Sequence, residues 1–160
     1  MGDLGQVAFW FPIFSPARQA RGSRFLPHKT FEIGAHSMRA LVIDDSRAVR
    51  RIIGSIMKEL GYEVIEAGHG LEGLAMLEQH GAVDIVLVDW NMPEMNGLEF
   101  IKAARAIPAY YDMPIMMVTT ETEMEKMAQA FVAGVNEYVM KPFDKGIILE
   151  KLQLLGIGAY

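Results

Sequence analysis

The sequence contains no cysteine. That excludes disulfides, thiolate metal sites and a cysteine nucleophile, and it gives no sign of an oxidising compartment. No apolar run approaches the roughly 18 residues needed to span a bilayer, so membrane insertion is not expected. Positive charge is scarce beyond the first 37 residues. Arg18, Arg21, Arg24 and Lys29 lie in that segment against Asp3 and Glu32, which leaves 11 basic and 18 acidic residues over 38–160, a net of about −7. Direct nucleic-acid binding needs a basic footprint, so no nucleic-acid partner is expected. The remaining composition is ordinary for a globular chain. It is 51% hydrophobic and 22% charged over 160 residues, enough for one domain with a real core.

Residues 1–37 read differently from the rest. Residues 7–14 are apolar but contain Pro12, and residues 15–29 are rich in Pro, Arg, Ser and Gly. Neither a 3.6 nor a 2.0 period is sustained. A signal peptide would place basic residues before an unbroken apolar stretch, whereas Asp3 comes first here and Pro12 interrupts. The expectation is a disordered N-terminal extension, or a start assigned too far upstream with Met38 as the natural first residue.

From Met38 the pattern is regular. Apolar runs at 39–43, 62–66, 83–88, 113–118 and 137–140 predict five strands, and the third shows no alternation, as when both faces are covered. Between and after them lie helical patterns. Val49, Ile52, Ile53, Ile56, Met57 and Leu60 fall at helical spacing before Gly61. Leu71, Leu74, Ala75 and Leu77 mark a second helix ending near Gly81. Asn96-Gly97-Leu98-Glu99 reads as a capping box opening a helix to about Ile107, and Thr122-Glu123-Met124-Glu125 as another, with a helix to Phe131 and Gly134. Asp144 is placed to cap a last helix through about Leu155. Five strands alternating with five helices predict an α/β doubly wound parallel sheet.

The ends of the strands carry the chemistry. Asp44-Asp45 follows the first, Asp89 the third, Thr119-Thr120 the fourth and Lys141-Pro142 the fifth. In an open parallel sheet all of these fall at the carboxyl edge, where ligands bind. A carboxylate cluster there either binds a hard divalent cation or holds raised pKa values. Helix capping alone would need only one of Asp44 and Asp45, and Ser46 can also cap. Lys141 supplies a cation against the repulsion among the acids, and a Lys–Pro step can adopt a cis bond. The pattern points to metal-assisted chemistry on a phosphoryl group.

In order along residues 38–155, Asp44-Asp45, then Asp89-Trp90-Asn91-Met92-Pro93-Glu94-Met95-Asn96-Gly97, then Met117-Val118-Thr119, Tyr138 and Lys141-Pro142-Phe143 are present. On these motifs the chain resembles the receiver domain of two-component response regulators, and most closely the single-domain chemotaxis type. The resemblance implies a flavodoxin-like (βα)5 fold with strand order 2-1-3-4-5, an order that spacing does not give. It implies a receiver domain over 38–156 and a short tail over 157–160. Asp89 matches the phosphoacceptor, Asp45 a direct metal ligand, Asp44 a carboxylate reaching the metal through water, and the Asn91 backbone carbonyl a further ligand. The cofactor would be Mg2+. Lys141 matches the cation that contacts the phosphoryl group, Thr119 the hydroxyl that turns toward it, and Tyr138 the aromatic that follows. Met124 and Met127 beside Tyr138 are candidates for the output surface formed by the fourth helix, fifth strand and fifth helix. Asn91 and Glu121 would flank the water that hydrolyses the phosphoryl group.

The function so implied is a cytoplasmic, monomeric phosphoacceptor switch, not an enzyme acting on other substrates. A sensor histidine kinase would load it, and it would act on a flagellar motor switch or hand its phosphoryl group to a relay phosphotransferase. Only Gly156 to Tyr160 follow Leu155, so action by reversible association is expected. Three readings fit less well. A haloacid-dehalogenase-type Mg2+-dependent aspartyl phosphatase needs a second aspartate two residues after the nucleophile, where this chain has Asn91. A flavodoxin-like cofactor binder would not place Asp44-Asp45 in its phosphate loop. A pseudo-receiver that only binds partners would not keep the full set of acidic, hydroxyl and lysine groups.

Overall fold

The apolar runs that follow Met38 become the strands of one sheet. A computed structural model describes residues 37–157, so the reading of 1–37 as an extension lies outside the described residues but for the last. The elements are β1 (Arg39–Ile43), α1 (Arg47–Glu59), β2 (Glu63–Ala67), α2 (Gly70–His80), β3 (Ile85–Val88), α3 (Gly97–Arg105), β4 (Ile115–Thr119), α4 (Met124–Ala133), β5 (Glu137–Met140) and α5 (Lys145–Leu154). All strand pairs are parallel, in the order β2-β1-β3-β4-β5. The fold is the flavodoxin-like doubly wound sheet that the resemblance implied.

Alternation along each strand divides the core in two. Leu41, Ile43, Val86, Val88, Ile115 and Met117 pack with Leu77 of α2, Phe100, Ile101 and Ala104 of α3 and Ala130 of α4. Ala40, Val42, Ile85, Leu87, Met116 and Val118 pack with Ile53 and Met57 of α1 and Ile148 and Leu152 of α5. Both faces are apolar because both are covered by helices, which is why the strands read as unbroken hydrophobic runs.

Local chemistry sets most helix ends. Ser46 caps α1 by accepting from the Val49 N–H, so neither Asp44 nor Asp45 is used as the cap. Asn96 and Glu99 form the expected capping box, and Asp144 accepts from Ile147 N–H at α5. Three expectations need correction. Thr122 does not cap α4. Its N-cap is Glu123, which makes no side-chain capping bond. Instead the Glu121 carboxylate accepts from the N–H groups of Thr122 and Glu123, both at 3.1 Å. α3 ends at Arg105 and a 3-10 turn over Pro108–Tyr110 follows, because Pro108 cannot continue the helix. β3 starts at Ile85, since the Arg39 N–H bonds the Asp84 carboxylate rather than a strand carbonyl. Ile157, the first residue of the expected tail, packs beside the α1/α5 core, and its carbonyl accepts from the Tyr62 hydroxyl.

Candidate functional site

Parallel registration brings the strand ends together. Ile43 pairs with Val88, Val88 with Met117 and Met117 with Tyr138, so the residues that follow share one edge. Asp44, Asp45 and Asp89 each offer a carboxylate oxygen within 4.8 Å of the others. Asp44 is 1% exposed and Asp89 8%, while Asp45 is exposed. Lys141 reaches in from the end of β5. Its Nζ lies 2.7 Å from Asp44 Oδ2 and 3.0 Å from Asp89 Oδ2. The Lys141–Pro142 peptide bond is cis.

Each buried acid has a second anchor. Asp44 Oδ1 accepts from the Ser46 N–H at 2.8 Å, and Asp89 Oδ1 from the Trp90 N–H at 2.7 Å. Burial pushes the Asp44 carboxyl above the usual carboxylate range, against the bonds from Lys141 and Ser46, and the Asp89 charge adds to the rise. Burial alone would lower Lys141, but the hydrogen bonds to Asp44 and Asp89 outweigh it and hold the ammonium above its ordinary value. One ammonium shared by two buried carboxylates leaves the edge rich in negative charge.

The β3–α3 loop turns back tightly over this edge. Gly97 N–H donates to the Trp90 carbonyl at 2.9 Å. A Cβ at Gly97 would fall 2.1 Å from the Asp89 carbonyl oxygen, so glycine is required by the close approach. Beside it lies an open depression of about 550 Å3 lined by Asp45, Trp90, Asn91, Met92, Pro93 and Asn96.

Thr119 is the last residue of β4 and is fully buried. Its Oγ1 accepts from the Glu121 N–H at 3.2 Å. The Tyr138 ring lies inward at 8% exposure, with its hydroxyl donating to the Glu121 carbonyl at 3.0 Å. Burial, then the Glu121 and Asp89 charges, push the Tyr138 phenol up to about 12. Glu121 thus joins the hydroxyl and the aromatic through its own peptide groups. Its carboxylate is held 2.8 Å from Lys126, and that bond pulls the Glu121 carboxyl down. Met127 is half-buried against the core, whereas Met124 is 79% exposed.

The sequence-derived candidates Asp44, Asp45, Asp89, Asn91, Thr119, Glu121 and Lys141 therefore sit at strand ends or on the loops that leave them, whereas Tyr138 lies within β5 and Met124 and Met127 lie on α4. Arg50 and Lys126 were not singled out by the sequence, and Gly97 was quoted only within the Asp89-to-Gly97 motif and the capping box, not for its close packing. Gly97 carried a signal, because it follows Asn96 at the start of a capping box. Arg50 and Lys126 carried none beyond being cations on amphipathic helices.

The donor set suits a hard cation. Three carboxylates of graded exposure, with a backbone loop beside them, can supply one or two direct oxygens and leave room for water, as Mg2+ prefers.

The fold and this edge define a class of doubly wound domains with an acidic, lysine-bridged carboxyl edge. Within that class, the sequence profile of the response regulator receiver domain matches residues 40–153, and the chain belongs to that family. It is a signalling switch of the two-component type. The chemotaxis protein CheY homolog of Campylobacter jejuni is 48% identical over 124 residues, covering 76% of this chain and 95% of the relative. Chemotaxis protein CheY1 of Helicobacter pylori is 44% identical over 119 residues, covering 74% and 96%. The solved structure of chemotaxis response regulator CheY4 of Vibrio cholerae superposes with a TM-score of 0.69 at 37% identity, covering 74% of this chain and 98% of that one.

Proposed function

We propose that this protein is a chemotaxis-type response regulator whose Asp89 accepts a phosphoryl group from a sensor histidine kinase. One observation carries the reading. Lys141 bridges Asp44 and Asp89 while the carboxylate oxygens of Asp44, Asp45 and Asp89 converge within 4.8 Å. Such an edge is built to exchange its own charge balance for that of a bound phosphoryl group.

Asp89 acts as the nucleophile. An Oδ of Asp89 bonds to phosphorus as the bond from phosphorus to the kinase imidazole nitrogen breaks; the bonding pair goes to that nitrogen, and because the phosphoimidazole carries a proton on its other ring nitrogen it leaves as neutral imidazole. Lys141 keeps a proton on Nζ throughout and donates it as a hydrogen bond to the transferred oxygens. Mg2+, held by Asp45, Asp89, the Asn91 carbonyl and more loosely Asp44, would neutralise charge on those oxygens. The product adds about −1.5 to −2 of charge at one point. Thr119 turns to donate its hydroxyl proton to the new oxygens, and that turn moves the Oγ1 that now accepts from the Glu121 N–H. Because Glu121 also holds the Tyr138 hydroxyl, through its carbonyl, the charge change is passed to the α4–β5–α5 face. Met124 and the half-buried Met127 offer adaptable contacts there for a partner such as a flagellar motor switch. The names of the relatives favour that output over a relay phosphotransferase. The reading places the protein in the cytoplasm as a monomer. Asn91 and Glu121 border the path of the water that ends the signal.

Incubation with acetyl phosphate and Mg2+ tests it. The wild type should gain one base-labile phosphoryl group by intact-mass measurement, and a chelator or Asp89→Asn should abolish the gain. Undiminished Mg2+-dependent labelling of Asp89→Asn would refute the assignment.

A further inference from the structure

The acidic loop is held from behind by a residue that takes no part in the chemistry above. Arg50 lies one turn into α1, and its guanidinium folds back over the start of its own helix. Nη1 donates to the Asp44 carbonyl at 2.6 Å, and Nε donates to Glu66 Oε2 at 3.1 Å. The side chain is 16% exposed. Asp44 is thereby fixed on every side. Its N–H donates to the Ala67 carbonyl, its Oδ1 accepts from Ser46, and its Oδ2 from Lys141. Asp45 is different, being exposed. What orients its Cα is the Asp44–Asp45 peptide, and the oxygen of that peptide is the one Arg50 grips. Glu66, near the end of β2, braces the guanidinium from the neighbouring strand.

We propose that Arg50 is a positioning residue that sets the Asp45 carboxylate against Asp89 for cation binding. The inference rests on the reading of the acidic edge as a Mg2+ site, and it makes a prediction of definite sign. A guanidinium bonded to the backbone of the acidic loop opposes cation binding by charge alone, so its removal would tighten Mg2+ if charge were its only effect. If it positions the loop, its removal weakens Mg2+ despite the lost repulsion. Partners one shell out from a metal ligand typically hold about ten-fold or more in affinity.

The test is a Mg2+ titration of the full chain followed by the fluorescence of Trp90, whose N–H bonds Asp89. Melting curves of each variant confirm that it is folded. Arg50→Met should bind Mg2+ about ten-fold more weakly than wild type. Arg50→Lys keeps the charge but cannot span Asp44 and Glu66 together, so it should fall between them. Glu66→Gln can still accept from Nε and should stay near wild type. Equal or tighter Mg2+ binding by folded Arg50→Met, or Arg50→Lys equal to wild type, would overturn the positioning role. A wild type that shows no Mg2+ response would instead overturn the reading of the acidic edge, and this inference with it.

Discussion

The two edges of the sheet use their cations in opposite ways. At the amino edge, Arg105 spends every N–H on acceptors in the chain: the carbonyls of Tyr110, Met113 and Gly134 and the side-chain oxygen of Asn136. Arg39 likewise donates to the carbonyls of His80 and Ala82. At the carboxyl edge one ammonium, Lys141, serves two buried carboxylates, with a third acid exposed beside them. In the first arrangement every guanidinium donor of Arg105 is already satisfied within the chain. The second is short of positive charge, so a cation or a transferred group changes its energy. On the proposed function, stability and signalling are held at opposite ends of the same five strands.

Substitutions at the two edges should separate those properties. The largest structural effect is expected at Arg105. Arg105→Ala strips donors from carbonyls of α4's end, the 3-10 turn and the β4 approach. Unsatisfied buried groups cost ~1–3 kcal/mol each, less where water enters, so about 3 kcal/mol is expected in all. For a domain of this size that lowers Tm by roughly 10 °C. Calorimetry should show the loss while Asp89 labelling persists at low temperature. Loss of labelling in a folded Arg105→Ala would erase the division between the edges.

Asp45→Ala should weaken Mg2+ more than Asp44→Ala, since Asp44 is already committed to Ser46 and Lys141. Trp90 fluorescence can rank the two. Unchanged affinity in both would reduce the pair to helix-start residues.

A pH experiment on Asp44 probes the charge shortage itself. Burial raises its carboxyl in the folded state, so the folded chain holds that proton more tightly than the unfolded chain. Its contribution to stability is present at low pH and is lost as pH rises through the raised value. In metal-free buffer, the Tm of Asp44→Asn relative to wild type should therefore rise with pH above the ordinary carboxylate range. A difference that falls with pH would mean that the bond to Lys141 outweighs burial.

Signal lifetime should respond to Asn91→Arg combined with Glu121→Tyr. Bulk at the water path slows decay of the phosphorylated form after donor removal, with Asp89 still able to accept phosphate. The Glu121 carboxylate is tied to Lys126 and to the start of α4, so part of any effect will come through that loop. Equal decay rates would remove both positions from water control. The smallest effect belongs to residues 1–37. Starting the chain at Met38 should leave Tm and labelling unchanged, and a large fall in Tm would show that this segment docks on the domain.

Much of this was legible in the sequence, for local reasons. Unbroken apolar runs gave the strands, and Asn96, Asp144 and Gly61 marked helix ends by chemistry that acts within four residues. Because parallel strands share one carboxyl edge, Asp44, Asp45, Asp89 and Lys141 could be placed together before any contact was known. The strand order came from resemblance alone, since spacing does not choose among crossovers. What stayed hidden depends on side chains reaching across the fold. Arg105 meets Gly134 29 positions away, and Arg50 meets Glu66 16 positions away. The false capping box at Thr122 failed for a local reason, because the Glu121 carboxylate, one residue earlier, takes the N–H groups of Thr122 and Glu123 and α4 begins one residue later than the box implied.

The most direct test of the central claim locates the phosphoryl group itself. After acetyl phosphate and Mg2+, borohydride reduction converts an aspartyl phosphate to homoserine, and peptide sequencing by mass spectrometry reads the position. The account predicts homoserine at residue 89 alone. Homoserine at 44 or 45, or at no aspartate of the carboxyl edge, would contradict it.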